Sequence, residues 1–408
     1  MAIARWEFIR SARNSPSRSR TGSSRDCGGS SEKRYGMFFV DPPGMVWPEV
    51  STPVLGRLIW LSRLCEPHPE RLRAPIHWRL TMSPKTLLSA ALILVLLVGC
   101  GQTVVSDSSK EASTGSYPVK LTNCGFDVDV PMAPERVVTI KSTSTELLLA
   151  LGLGGKIVGQ AFPDGPVPKK WAAAAAKIPK ISAQVPSQEV LLAAEPDLIF
   201  AGWESNLAAG SGSARLALQK LGIATYVAPS ACKEPKFQPK KMSFDLLFDQ
   251  FNQVGSIFGV QRRVETLIAD QKKQLASIQQ VKPGTSALWF SSGTSVPYVG
   301  AGIGAPQMIM DKLGITNVAG NVKDTWTSMS WEQIVADNPD VIVLVDAQWN
   351  TAAKKIADLR SNPATRTMEA VKHNRFLTIP FAASEAGVRS VPATVELSKE
   401  LDTLGYGN

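Results

Sequence analysis

The chain runs to 408 residues, 44% of them hydrophobic and 19% charged, with a formal net charge of +9. A basic total invites a nucleic-acid reading, and its distribution along the chain removes that reading. Residues 1–81 carry +6 and Lys85 carries +1, so Cys100–Asn408 is left with only +2.

Residues 1–81 hold 13 Lys/Arg against 7 Asp/Glu and four of the ten tryptophans, with scattered Pro and Ser and no sustained helical or strand period. They read as an upstream extension outside the mature protein. "MSPKTLLSAALILVLLVGCGQ", Met82–Gln102, then gives a lysine, an apolar run from Leu87 to Val98, small residues and a cysteine, in the order of an export signal. The run is too short to span a bilayer, which takes about 20 apolar residues. Leu97-Val98-Gly99-Cys100 resembles the lipobox of bacterial lipoproteins, in which the cysteine becomes the lipidated first residue. Residues 82–99 are therefore expected to be a signal peptide, Cys100 the lipid anchor, and the Ser/Thr/Gly-rich stretch 100–116 a flexible tether.

Beyond the signal the chain keeps Cys100, Cys124 and Cys232. With Cys100 acylated, the even pair Cys124 and Cys232 reads as a disulfide in an exported protein; the alternative is two unpaired buried thiols. His373 is the one histidine of the mature chain, which argues against a His-rich metal site and against a Ser-His or Cys-His nucleophile. It reads as an exposed or capping residue, and neither a metal nor a cofactor is expected.

About 300 residues is more than one core usually serves. In chain order, apolar runs without polar alternation fall at "RVVTI" (136–140), "LIFA" (198–201), "IATYV" (223–227), "SALWF" (286–290), "VIVLV" (341–345) and "RFLTI" (375–379), with helical segments such as "STELLLALG" between them. Such runs read as strands covered on both faces. "SQEVLLAAEPDLIFA" (187–201) recurs as "SWEQIVADNPDVIVLV" (330–345), offset by 143 residues. Each copy opens with a serine able to cap a helix, places a glutamate in the first turn, and passes through Pro-Asp into an apolar run. Between the halves, Val264, Leu267, Ile268, Leu275 and Ile278 share one helical face and "KPG" (282–284) is a stop. The pattern predicts an α/β protein of two lobes, each with a mostly parallel sheet flanked by helices, joined by one long helix. The expected bounds are 117–260 for the first lobe, 261–283 for the linking helix and 284–408 for the second lobe.

From about Pro134 onward, "PERVVTIKSTSTELLLALGLGGKIVG" and the two Ser-x-Glu…Pro-Asp repeats resemble the substrate-binding lipoproteins of ABC importers, in the class that binds iron-siderophores, haem or cobalamin between helix-linked lobes. "SNLAAG", "APSACKEP", "PYVGAGIGAPQMIM", "DTWTSMSWE" and "PFAASEAGVR" are similar to an actinobacterial subgroup proposed to take up the precursor of a deazaflavin cofactor. The resemblance implies a monomeric receptor on the extracytoplasmic face of the membrane, a permease dimer with its ATPase as partners, and no covalent chemistry. It also implies that Glu189 and Glu332 face arginines of the two permease subunits. The alternative role for these carboxylates is to favour their helix ends, worth a few tenths to about 1 kcal/mol each.

Ligands of such sheets sit at the carboxyl ends of strands. The loops there supply Lys141, Ser142 and Thr143; Trp203, Glu204, Ser205 and Asn206; Tyr298; Trp326 and Thr327; Gln348, Trp349 and Asn350; and Phe381 and Ser384. Aromatics among hydroxyl and amide groups suit a large, flat ligand with a polar edge. "GAGIGA" satisfies G-x-G-x-x-A, with Asp324 about 20 residues on, so a dinucleotide enzyme is a competing reading. Without a dinucleotide, Gly302 and Gly304 before a helix would still expose N–H groups to a ligand anion. A surface-anchored hydrolase is the other enzyme reading, against which stands the lack of a G-x-S-x-G elbow. The sequence predicts a cell-associated protein that begins at lipid-modified Cys100; intact mass of the detergent-extracted protein checks it, and a mature chain retaining residues 1–81 contradicts it.

Overall fold

The computed structural model of the chain describes residues 116–207 and 212–408, which lie in one compact unit. Cys100 and the expected extension, signal and tether up to residue 115 lie outside the described residues.

A hairpin comes first, β1 (Val119–Asn123) antiparallel to β2 (Phe126–Val130). There follow β3 (Val137–Ile140), α1 (Ser142–Ala150), β4 (Ile157–Ala161), the single turn α2 (Ala172–Ala175), β5 (Lys180–Ser182), α3 (Gln188–Ala193), β6 (Leu198–Ala201), α4 (Gly212–Lys220) and β7 (Ala224–Val227). The five later strands form one sheet in the order β5-β4-β3-β6-β7, all neighbours parallel. Every residue of the central β3 and β6 is buried, as their unbroken apolar runs require of a sheet covered by helices on both faces.

Two consecutive helices leave this lobe, α5 (Phe244–Phe258) and α6 (Gln261–Ala276). Ser243 caps α5 by accepting from the Leu246 N–H, and Gly259, at φ 64°, ends it in the left-handed conformation that glycine adopts without strain. A side chain at Gly255 would place its Cβ 2.7 Å from Val264 Cγ2, so the close packing of α5 on α6 depends on that glycine. The helix α6 is shorter than the 261–283 read from the sequence: it ends at Ala276, before "KPG". The reason is tertiary, because the Val281 N–H donates to Leu313 O and the Lys282 N–H to Tyr406 O, drawing this backbone into the second lobe.

That lobe comprises β8 (Ser286–Ser292), β9 (Tyr298–Gly300), α7 (Ala305–Leu313), β10 (Thr316–Asn317), β11 (Trp326–Ser328), α8 (Trp331–Asp337), β12 (Val341–Asp346), α9 (Ala352–Ser361), α10 (Glu369–Lys372), β13 (Phe376–Pro380), α11 (Phe381–Ser384) and α12 (Ser390–Thr403). Its sheet runs β11-β9-β8-β12-β13, with the short β10 also paired to β8. The strands β8, β10, β12 and β13 are parallel; β9 runs antiparallel to β8, and the edge strand β11 antiparallel to β9 in turn. The α/β architecture read from the sequence is the one observed.

The repeat has the same local structure in both lobes. Ser187 and Ser330 cap α3 and α8, their Oγ atoms accepting from Val190 and Gln333. The aspartates do more than turn the chain. Asp197 accepts from the N–H groups of Glu135 and Arg136 at 2.7–3.1 Å, just before β3. Asp340 accepts from the N–H and hydroxyl of Ser286 at 2.8 Å, where β8 begins. Each carboxylate thereby fixes the start of the strand beside its own.

One apolar cluster includes Leu148 and Phe200 of the first lobe, Phe251 and Val264 of the linking helices, and Trp289, Val343 and Leu377 of the second. Cys124, at the β1–β2 turn, is joined by a disulfide to Cys232 after β7, across 108 residues. Closing a loop of that length stabilises by about 3–5 kcal/mol in the chain-entropy model. Replacing both cysteines with serine should lower the unfolding free energy by that order in chemical denaturation, with no change in the cooperative unfolding of the remaining core.

Candidate ligand-binding cleft

The carboxyl ends of β3, β6 and β7 in the first lobe and of β8 and β13 in the second converge on one cavity of about 210 Å³. Thr143, Trp203, Ser230 and Lys233 line it from one side, and Tyr298, Asp324, Trp326, Phe381 and Glu385 from the other.

The first lobe contributes a buried cation that is already neutralised. Lys141 is 2% exposed and its ammonium pairs with Asp164, itself 4% exposed. Asp164 is held by an exchange with Ser142: its Oδ2 accepts from the Ser142 N–H at 3.0 Å, and its own N–H donates to Ser142 Oγ at 2.8 Å. The same ammonium lies 3.9, 4.4 and 5.1 Å from the ring centroids of Trp203, Phe162 and Phe381. Cation–π attraction therefore adds to the ion pair in orienting Trp203. Lys141 stands at φ 81°, ψ 156°, a conformation almost confined to glycine that costs about 1–3 kcal/mol and persists where neighbours over-determine it.

Trp203 reaches the second lobe. Its indole N–H donates to Glu385 Oε2 at 3.0 Å, and its ring meets Phe381 edge-on at 6.3 Å. Glu385 is half-buried, and its other oxygen, Oε1, is buried without a hydrogen-bond partner. Burial raises this carboxyl to about pH 7 against the opposing hydrogen bond from Trp203 and the charge of Lys141. A second bridge between lobes pairs Arg389 with Glu146, Nε donating to Oε2 and Nη2 to Oε1, while Nη2 also donates to Pro166 O at 2.8 Å. Burial outweighs Arg389 and raises the Glu146 carboxyl above the usual range. Across the cavity Tyr298 and Trp326 stack with centroids 6.0 Å apart and planes 16° from parallel.

Of the residues singled out from the sequence, Thr143, Trp203, Tyr298 and Trp326 line the cavity, as do Ser205 and Phe381. Lys141 and Ser142 stand behind it. Glu204 accepts from the Lys233 N–H, and buried Asn206 accepts from the Trp203 N–H at 3.0 Å, so both shape the loops. The Ser384 hydroxyl is spent on Phe381 O. Trp349, 64% exposed, packs edge-on against Phe381 at 6.0 Å. Gly302 and Gly304 do not form an open anion cradle. The N–H groups of Ala301, Gly302 and Ile303 donate to Thr325, Val322 and Asp324, and a Cβ on either glycine would strike that same segment. The strand before them, β9, is antiparallel to its neighbour, unlike the parallel strand that precedes a dinucleotide turn. Glu189 and Glu332 are exposed in the first turns of α3 and α8, and His373 is exposed beside Glu369.

Asp164 and Glu385 escaped the sequence reading. Asp164 follows β4, so the strand-end rule reaches it once that strand is recognised; Glu385 sits just past α11, inside the motif "PFAASEAGVR".

The family model for periplasmic binding proteins matches residues 137–383, from the first residue of β3 into α11 and thus across both sheets. The chain belongs to this family. It is 26% identical over 331 residues to the uncharacterized ABC transporter substrate-binding lipoprotein YvrC of Bacillus subtilis, covering 78% of this chain and 98% of that protein. A periplasmic binding protein from Veillonella parvula superposes with a TM-score of 0.61 at 27% identity, covering 69% of this chain and 97% of its own. An ABC-type Fe3+-hydroxamate transport protein from Saccharomonospora viridis gives 0.60 at 24% identity, covering 70% and 99%.

The Glu385 carboxyl yields a sign-definite test. Between about pH 4.3, where an unfolded glutamate ionises, and about pH 7, the folded chain keeps a proton that the unfolded chain has lost, so this group lowers stability as pH rises through that window. Glu385→Gln removes the effect. The melting temperature of the variant relative to the parent should therefore rise from pH 4.5 to pH 8, measured by circular dichroism; a flat difference contradicts the assignment.

Proposed function

We propose that this chain is the extracytoplasmic substrate-binding lipoprotein of an ABC importer, lipid-anchored at Cys100, with residues 1–81 absent from the mature form. It holds a bulky small molecule between its lobes and presents it to a permease dimer driven by its ATPase, with no covalent chemistry of its own. The carrying observation is the symmetry of the two repeats, which leaves one exposed first-turn glutamate, Glu189 or Glu332, on each lobe. A two-fold permease needs one such charge per subunit for docking. The name of the Bacillus relative agrees with this role.

The aromatic cleft favours a flat ligand with a polar edge, for which an iron-siderophore, haem, cobalamin and a deazaflavin precursor are candidates. The similarity of "PYVGAGIGAPQMIM" and "PFAASEAGVR" to the deazaflavin-precursor subgroup supports the last of these. At about 210 Å³ the cavity is smaller than the roughly 300–1,000 Å³ of sites that enclose a drug-sized ligand. A bulky ligand therefore enters by one edge and rests its remainder on the rim, where Tyr298 and Trp349 are 42% and 64% exposed.

Replacing both Glu189 and Glu332 with alanine should abolish uptake in cells while the purified protein keeps its ligand affinity. Each single replacement should do less, because the other lobe's glutamate stays docked while the loss of one member of a desolvated charge pair costs about 2–5 kcal/mol. Normal uptake by the double variant at matched expression would sink the docking role.

A further inference from the structure

Resting on the reading of this cleft as a ligand site, we infer that Lys355 is a positioning residue: its buried ammonium ties together the two ends of the β12–α9 loop and thereby holds the Trp349 indole against Phe381 at the cleft mouth.

Lys355 is 1% exposed, and its Nζ donates to Val345 O and to Asn350 O, each at 2.6 Å. Val345 is the penultimate residue of β12, and Asn350 immediately precedes Thr351, which caps α9. The two bonds therefore bracket the loop that carries Trp349. Within it, Asn350 N–H donates to Ala347 O at 3.0 Å and Ala347 N–H to Asn350 O at 3.4 Å. Asp346 Oδ1 accepts from the Ala352 N–H at 2.8 Å and so fixes the start of α9. An ammonium on a four-carbon stem, with donors in three directions, can reach back from the first turn of that helix to the strand end.

The placement is costly. A cation in the first turn of a helix opposes the dipole, and a buried charge has lost its hydration. The other fully buried lysine among the described residues, Lys141, is compensated by the Asp164 carboxylate, whereas Lys355 is held by carbonyl oxygens. In the same loop Asn350 Oδ1 is buried without a hydrogen-bond partner. Costs gathered in one loop mark geometry that serves something beyond the loop itself.

What the loop serves is Trp349. Its ring is 64% exposed yet meets Phe381 edge-on at 6.0 Å, and Phe381 meets Trp203 at 6.3 Å. Phe381 thus touches two indoles, one aimed by Lys141 and the other by Lys355. A ring fixed in advance loses little freedom when a ligand arrives.

The tie is also sensitive to pH. Burial lowers the Lys355 ammonium to about 8, with Asp346 on β12 opposing the shift and Lys354 on α9 adding to it. On the elements packed against α9, Arg366 is exposed and Glu369 is engaged by Lys372 and His373. Charge-assisted hydrogen bonds are roughly twice as strong as neutral ones, so loss of the proton weakens both bonds to the loop.

The test is 19F NMR of the purified protein labelled with 5-fluorotryptophan, the Trp349 signal being assigned by its loss in Trp349→Phe. In the parent this signal should titrate between pH 6 and pH 10 with a midpoint at about 8, while those of Trp171 and Trp289, elsewhere in the fold, stay fixed. Glu385→Gln, which removes the carboxyl beside Trp203, should leave that midpoint in place. Lys355→Met keeps the side-chain length without charge or donors; it should abolish the titration and hold the Trp349 signal at the parent's pH 10 position. A Trp349 signal that does not move in the parent, a titration lost in Glu385→Gln, or a methionine variant that titrates like the parent overturns the inference. Should Lys355→Met fail to fold, the parent titration and the glutamine control decide it. Each of these outcomes leaves the importer reading intact, which falls separately, by normal uptake in the Glu189→Ala, Glu332→Ala variant.

Discussion

The cleft depends on one constraint: the two lobes share a core. The helix α6 is tied at Arg263 to the first lobe, donating to Leu151 O at 3.0 Å, and at Gln271 to the second, donating to Val388 O at 3.0 Å. Eight residues of helix separate these anchors, about 12 Å at 1.5 Å per residue. Apolar packing runs without a break from the first sheet through α5 and α6 to the second. Two strands crossing between lobes could swing as a hinge, but a helix embedded in a common core resists bending. Interiors packed at crystal density do not deform continuously. Small adjustments at the rim, rather than wide opening, are what this architecture permits.

Given a stiff frame, the cleft can hold buried charge in fixed positions. Ion pairs such as Lys141–Asp164 and Glu146–Arg389 recover in Coulomb energy roughly what their desolvation costs, so their value lies in specifying geometry more than in stability. The first pair aims Trp203 across the gap, and the second fastens α1 to the start of α12. Removing either partner would leave a buried charge unpaired, which is why such sites tolerate change poorly.

Much of this was legible in the sequence, for identifiable reasons. The strands β3, β6, β7, β8 and β12 are largely buried on both faces, and their apolar runs announce them; β13, read from "RFLTI" as covered on both faces, is instead an edge strand with Thr378 and Pro380 exposed. The hairpin β1–β2 lies outside the unbroken apolar runs by which the other strands were read: "VKLTN" and "FDVDV" alternate, as befits a separate two-stranded sheet exposed on one face. The strands β9, β10 and β11 are three residues or fewer, too short for any period to register. At the site, Thr143, Trp203, Tyr298 and Trp326 follow from the rule that ligands meet strand ends. The partnership of Lys141 with Asp164, 23 residues on, and of Trp203 with Glu385, 182 residues on, exists only once the sheets are assembled. The end of α6 was misplaced for the same reason, since hydrogen bonds to Leu313 and Tyr406, remote in sequence, decide it.

The disulfide also bears on when the protein becomes competent. Cys232 belongs to the cavity wall, beside Ser230 and Lys233, and the bridge moors that wall to the β1–β2 turn. In a reducing compartment the mooring consists of weaker ties, such as the paired hydrogen bonds between Asn123 and Val227 at 2.8 Å. Thiol oxidation accompanies passage to the outside. If the chain is exported as proposed, its cavity wall would be completed only on oxidation: until Cys124 and Cys232 join, that wall is moored by the Asn123–Val227 hydrogen bonds alone of these two ties.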